Sequence, residues 1–228
     1  MMLDFADAVE KLEKTEDHTA TCVVLAGEGG FFCSGADLGA ARSALSTPMA
    51  GSLMCRFMQH WTTRFQYLPL ITVAAIAGGA VGGGSELATA CDHRVMSSDS
   101  HWCMIHARHG LTPGWGGATR VREIVGHQTA LTLLAGAERH DAEECLSIGL
   151  CDAVLDPDEA AGSTTSVAAG VSFLHDKGYL QWEPHTTRAA KQLVMAGVDS
   201  SHQAGSLAKE RALFEALWPP PILTQPEA

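Results

Sequence analysis

Residues 74–92 read Ala74-Ala75-Ile76-Ala77-Gly78-Gly79-Ala80-Val81-Gly82-Gly83-Gly84-Ser85-Glu86-Leu87-Ala88-Thr89-Ala90-Cys91-Asp92. An apolar, β-type run enters a glycine-dense turn, and the turn opens into a short Ala/Leu helix carrying one carboxylate, Glu86. Glycine lets the backbone turn tightly and approach a ligand, because no Cβ stands in the way. A helix N-terminus presents unpaired N–H groups to whatever lies there. Two readings follow: a backbone anion site with an acid–base group just beyond Gly83, or a strand-to-helix turn whose glycines serve packing. Two phosphate motifs do not fit. Ala80 stands where G-x-G-x-x-G needs its second glycine, and Gly84 stands where the P-loop needs its lysine.

Outward from this stretch, the chain has the character of a folded domain. Its 228 residues are enough to bury a substantial core, and 46% are hydrophobic against 18% charged. The net charge of −11 speaks against nucleic acid and against anionic membrane surfaces, which both attract clustered Lys and Arg. No apolar run reaches the length of a membrane span, and no basic-then-apolar signal segment opens the sequence. The seven cysteines are scattered without a C-x-x-C, which predicts reduced, mostly buried thiols and a cytosolic protein.

Leu3, Ala6, Val9 and Leu12 recur at helical spacing, so residues 2–14 are expected to form an amphipathic helix. Residues 21–26 are short, apolar and β-branched, as a buried strand requires. Phe31-Phe32-Cys33-Ser34-Gly35-Ala36-Asp37-Leu38 is a second loop of small residues at a strand's end. Residues 52–67 predict a helix with Leu53, Phe57, Trp61 and Phe65 on its core stripe, stopped by Pro69. Short strands are expected at 93–96 and 101–104, then helices at 118–125 and 127–135. Asp141 reads as an N-cap with an acid at N3, Gly149 as the stop of that helix, and residues 151–155 as a returning strand. Beyond Asp156 the signal is helical, roughly 158–175, 184–196 and 203–217, with a tail from Pro219. The pattern predicts an α/β core over 1–155, a helical region over 156–218 and a tail over 219–228.

Four segments in register resemble the crotonase, or enoyl-CoA hydratase/isomerase, superfamily: FFCSGADL (31–38), PLITVAAIAGGAVGGGSELATACDHRVM (69–96), HGLTPGWGGATR (109–120) and DAEECLSIGLCDAV (141–154). Within it, CRFMQHWTTRFQYLPLITVA, the tryptophan of PGWGGATR and the final ERALFEALW are similar to the decarboxylases of branched malonyl-CoA thioesters. The resemblance implies a spiral ββα core, a C-terminal helical trimerisation region giving a homotrimer or dimer of trimers, and a substrate such as ethylmalonyl-CoA or methylmalonyl-CoA. It implies no cofactor, because CoA is part of the substrate, and no metal. It places the oxyanion-hole N–H groups on Ser34 and Gly83, and the first catalytic glutamate on Glu86. Gly35, Ala36, Asp37, Leu38, Gly82, Pro113 and Trp115 are the expected substrate-binding positions around them. The chain departs from the hydratases where they carry a second glutamate, because His106 stands there. It also begins at what would be the family's first helix, without the strands and the loop that hold the adenine end of CoA. A shortened, catalytically impaired crotonase-fold scaffold is therefore an alternative.

The chemistry follows from these residue types. A thioester becomes an enolate when the adjacent carbon loses a proton or a carboxylate, and two fixed N–H donors stabilise the resulting oxyanion. Hydration usually needs a carboxylate pair to activate water, and His106 breaks that pair. Decarboxylation needs a pocket for the departing carboxylate, which a second glutamate would repel and a histidine would not. The expectation is that Glu86 handles the proton while His106 orients the carboxylate, or the reverse; the alternative is a hydratase or isomerase using Glu86 alone. His106 also reads as a plain strand-end cap, and Trp115 equally as a core residue. Asp37 is expected to pin its loop, Asp92 to be a buried structural acid and Arg120 a structural ion-pair partner. The spacing of His101, His106 and His109 matches no metal motif, and Ser34 lacks the G-x-S-x-G context of a nucleophile.

Overall fold

The run Ile71–Ile76 becomes β2, the central strand of the larger sheet, and five of its six residues are buried. It pairs in parallel with β1 (Cys22–Ala26) on one side and β4 (His93–Ser97) on the other, and β4 pairs with β7 (Ala153–Leu155). The order β1-β2-β4-β7 leaves β2 covered on both edges, which explains its near-continuous apolar sequence. A second sheet holds β3 (Gly79–Val81) parallel to β5 (His101–Cys103), with β6 (Arg139–Asp141) antiparallel beyond it. The computed structural model describes residues 1–15, 19–155, 163–196, 207–208, 210–212, 214–216 and 218–219.

Helices cover both sheets. α1 (Met2–Lys14) docks on α3 (Pro48–Gln66), with the Phe5 and Phe65 rings edge to face at 5.4 Å. The short α2 (Leu38–Ala44) lies between them in sequence. Thr47 caps α3 by accepting from Ala50 N, with Pro48 at its first turn. The expected core stripe of α3 is rotated. Its buried face is Met54, Cys55, Met58, Thr62 and Phe65, whereas Leu53 is 60% exposed. Leu3 of α1 is likewise exposed. In α1 the predicted Ala6 and Val9 are buried together with Phe5, and in α3 Met54, Cys55 and Met58 take the buried place of Leu53.

α4 (Gly83–Ala88) starts from Gly82 at φ +56°, a left-handed turn that brings the helix round tightly after β3. α5 (Gly117–Gly136) contains a non-helical Gly126, so the two helices expected here are the two arms of one kinked element. α6 (Ala142–Ser147) carries the expected capping box, Asp141 Oδ1 accepting from Glu144 N and Glu144 Oε2 accepting from Asp141 N. α7 (Ser163–Asp176) lays Phe173 and Leu174 on Val73, Ala75 and Val95 of the larger sheet. α8 (Pro184–Ala196) is tied to the core by Lys191 on Asp92 and by Arg188 donating to the Ala20 carbonyl at 3.1 Å. Described residues of 207–216 are helical, and their Phe214 packs with Trp218 against Met54 and Cys55. The predicted starts near 158 and 203, and the tail beyond Pro219, lie outside the described residues.

Asp92 corrects one expectation in part. It is structural, accepting from Thr72 N at 2.8 Å and Thr72 Oγ1 at 3.1 Å, but its side chain keeps 22% exposure. All seven cysteines are free, five of them buried.

Candidate active site

The two small-residue loops lie against each other. Cys33 bridges to Ala80, donating from N to the Gly79 carbonyl and accepting from Val81 N at 2.9 Å. Contact is so close that a Cβ on Gly84 would fall 2.0 Å from the Cys33 carbonyl oxygen, and one on Gly35 2.7 Å from Gly83 N. Small residues here are therefore a geometric demand of backbone-on-backbone packing. Among the described residues, neither Ser34 N–H nor Gly83 N–H makes a hydrogen bond. Gly83 opens α4, where an N–H has no intrahelical acceptor.

Glu86 is 1% exposed and stands at the centre of the site. Its Oε2 accepts from Trp115 N at 2.7 Å and Gly117 N at 3.0 Å; its Oε1 accepts from Gly114 N at 3.2 Å. His106 Nε2 lies 3.1 Å from Oε1, and His106 is itself buried, with Nδ1 lacking a hydrogen-bond partner among the described residues. A buried carboxylate is costly unless donors surround it, and here the main chain of 114–117 supplies them. The sequence explains the cage. Gly116 at φ +88° turns the chain into α5, and Gly117 leaves room for Glu86, whose Cγ would be 2.5 Å from a Cβ there. Trp115 is 3% exposed and its ring covers Gly83, so it is at once a core residue and a wall of the site.

Two residues complete the arrangement. Arg120 is buried and spends its guanidinium on Thr89 Oγ1, Thr62 Oγ1 and the carbonyls of Glu86 and Trp115. It binds neutral oxygens directly, so the expected ion-pair role becomes that of a brace between α3, α4 and α5; burial pulls its pKa down. Glu210, one of the described helical residues between 207 and 216, accepts from Gly116 N at 2.6 Å, Thr119 N at 3.1 Å and Thr119 Oγ1 at 3.2 Å. Burial pushes the Glu210 carboxyl up, with neighbouring Glu86 adding to the effect, to about 7. Glu210 was not among the residues expected from sequence. The signal was present, because Leu207, Glu210, Phe214 and Trp218 share one helical face, putting a carboxylate on an apolar stripe.

The structure thus brings Ser34, Gly35, Gly82, Gly83, Glu86, His106 and Trp115 together. Pro113 joins them one residue before the cage and lines a cavity of about 470 Å³ with Leu111, Thr112, Thr119 and Glu210. Ala36 and Asp37 are exposed beyond the loop, and Leu38 opens α2, where the Asp37 carbonyl accepts from Ala41 N. Among the described residues no three His, Cys, Asp or Glu side chains converge as a metal site, His101, His106 and His109 included.

A family model described as enoyl-CoA hydratase/isomerase matches residues 1–218. The chain is 39% identical over 218 residues to ethylmalonyl-CoA decarboxylase of Xenopus laevis, covering 96% of this chain and 70% of that protein. It is 38% identical to the Homo sapiens and Mus musculus proteins of that name, spanning 68% and 65% of their lengths and 96% of its own in each case. Among solved structures, an enoyl-CoA hydratase/isomerase from Xanthobacter autotrophicus Py2 superposes with a TM-score of 0.83 at 22% identity, covering 98% of this chain and 80% of that one. An enoyl-CoA hydratase from Mycobacterium avium subsp. paratuberculosis K-10 gives 0.79 at 23% identity, with 98% and 84% covered. The loop pair, the helix that carries Glu86 and these matches agree: the chain belongs to the enoyl-CoA hydratase/isomerase (crotonase) family.

Proposed function

We propose that this protein is an acyl-CoA decarboxylase that releases CO₂ from a branched malonyl-CoA thioester, ethylmalonyl-CoA or methylmalonyl-CoA. One observation carries the reading: two unpaired main-chain N–H groups, Ser34 and Gly83, stand in adjacent segments beside a Glu86–His106 pair rather than two carboxylates. The relatives named ethylmalonyl-CoA decarboxylase support it. In the proposed step the bond to the departing carboxylate breaks and its electron pair enters the bond between C1 and C2. Charge moves to the thioester oxygen, where the two N–H groups stabilise it. A proton then returns to C2.

Glu86 and His106 handle that proton together. Main-chain amides already occupy both Glu86 oxygens, which favours Glu86 as the group that orients and His106 as the group that faces the substrate. His106 meets Glu86 through Nε2, which leaves Nδ1 for the substrate carboxylate or for the proton that goes to the enolate carbon. Gly35, Ala36, Asp37, Leu38, Gly82, Pro113 and Trp115 are the proposed substrate contacts. The proposed step uses no metal and no cofactor beyond the CoA of the substrate. The proposed assembly is a homotrimer or dimer of trimers built through residues 156–218, working in the cytosol.

The purified protein, sized first in solution, is offered ethylmalonyl-CoA, methylmalonyl-CoA and crotonyl-CoA with and without a chelator. Chelator-insensitive CO₂ release from a malonyl thioester is expected. Hydration of crotonyl-CoA without CO₂ release overturns the decarboxylase reading, and absence of all turnover favours a scaffold.

A further inference from the structure

The turn 114–117 and the first residues of α5 offer five main-chain N–H groups in this site, and two carboxylates divide them. Glu86, from α4, takes Gly114, Trp115 and Gly117; Glu210, arriving from ninety-four residues beyond Gly116, takes Gly116 and Thr119. Gly116, the N-cap of α5, has no side chain with which to cap the helix, so the cap comes from Glu210. The Gly116 N–H lies between two N–H groups aimed the other way. If it were released, the turn could rotate and the Glu86 cage would open.

We propose that Glu210 is a positioning residue of this centre, holding the 114–117 turn in the one shape that surrounds Glu86 with donors and so fixes the Glu86–His106 pair. Geometry carries the inference, and only its kinetic readout rests on the decarboxylase reading. The charged groups around Glu210 make it sensitive to pH. Glu86 faces it with like charge, Arg120 of α5 with opposite charge, and Arg122 lines the same cavity. Cys55 of α3 is nearby with its thiol pushed up to about 12 by burial, so it stays neutral. With a carboxyl raised to about 7, Glu210 passes from neutral to charged across the neutral range.

Two opposite consequences follow. A charged Glu210 accepts from both amides and holds the turn, so kcat rises as pH rises through about 7. Stability moves the other way. The folded pKa lies above the unfolded one, so the folded state binds more protons between them, and stability present below the unfolded value is lost as pH rises through about 7. A residue that served only to hold the fold would move activity and stability together.

The test uses the full chain as wild type and Glu210→Gln, with kcat, KM and thermal melts measured between about pH 5.5 and 9. In wild type, kcat should climb and the melting temperature fall across the same interval. In Glu210→Gln both dependences should flatten, with kcat down about 10- to 100-fold and KM within about twofold. A folded Glu210→Gln protein with wild-type kcat and an unchanged profile overturns the proposal. Should that variant not fold, carboxyl carbon NMR of the wild type decides: a Glu resonance titrating near neutrality, with Glu86 shifting in step, supports it. No carboxyl titrating there overturns it. If the wild type turns over no malonyl thioester, the decarboxylase reading fails while the NMR titration still judges Glu210.

Discussion

Gly84→Ala is the most direct probe of the loop pair. The added methyl would sit 2.0 Å from the Cys33 carbonyl oxygen and 2.6 Å from its carbon, main-chain atoms with no rotamer to escape into. Restoring an ordinary contact requires the two loops to part by roughly 1.5 Å, and a misplacement of about 1 Å already costs about 10²-fold in rate. Overpacking of this kind also destabilises by about 1–3 kcal/mol. Ser34 N–H and Gly83 N–H sit on opposite sides of the parted seam, so the pair should lose its registration even though both donors survive. The assay is CO₂ release from ethylmalonyl-CoA, with kcat and KM separated, beside a thermal melt. The expected result is a kcat about 10²-fold lower, a KM changed far less and a melting temperature several degrees down. Wild-type kcat in a folded Gly84→Ala protein would refute the claim that this seam sets the donor pair.

Glu86→Gln should abolish turnover. It should also destabilise by about 1–3 kcal/mol, because an amide NH₂ would then face main-chain donors that now point at a carboxylate oxygen. Retained CO₂ release sinks the assignment. Asp141→Ala removes the α6 cap and should cost about 1 kcal/mol, lowering the melting temperature while leaving kcat untouched. The Cys55, Cys91 and Cys145 thiols are pushed up to about 12 by burial and Cys151 to about 11, so a thiol reagent near neutral pH should leave them unmodified until the chain unfolds. Mass spectrometry of the partly labelled native protein should find label first on the half-buried Cys22 and Cys33.

Much of this centre was legible because main-chain geometry restricts sequence strongly. A turn at φ +56° and a carbonyl 2.0 Å from a would-be Cβ admit little but glycine, so Gly82 and Gly84 are written plainly into residues 78–86. The capping box at Asp141 and the short apolar strand at 21–26 were readable because local chemistry dictates them. Side-chain faces were harder. Leu53 matches the α3 stripe by periodicity yet lies outside, because what decides the face is the surface supplied by α1 and the 207–218 segment. Glu210 was hidden differently. Its partners are main-chain N–H groups far upstream, and an amide leaves no mark on the sequence to say which carboxylate it will meet.

The division of the α5 amides between two carboxylates has a consequence for how the protein is made. Residues 31–117, with both loops, Glu86 and His106, emerge from the ribosome well before Glu210 does. At elongation rates of about 5–20 residues per second, that interval lasts several seconds or more. During it, the Gly116 and Thr119 amides have no Glu210 carboxylate to accept from them. The Glu86 cage therefore lacks its brace until the residues around Glu210 arrive, so the shape of the centre depends on a part of the chain made well after the groups it surrounds.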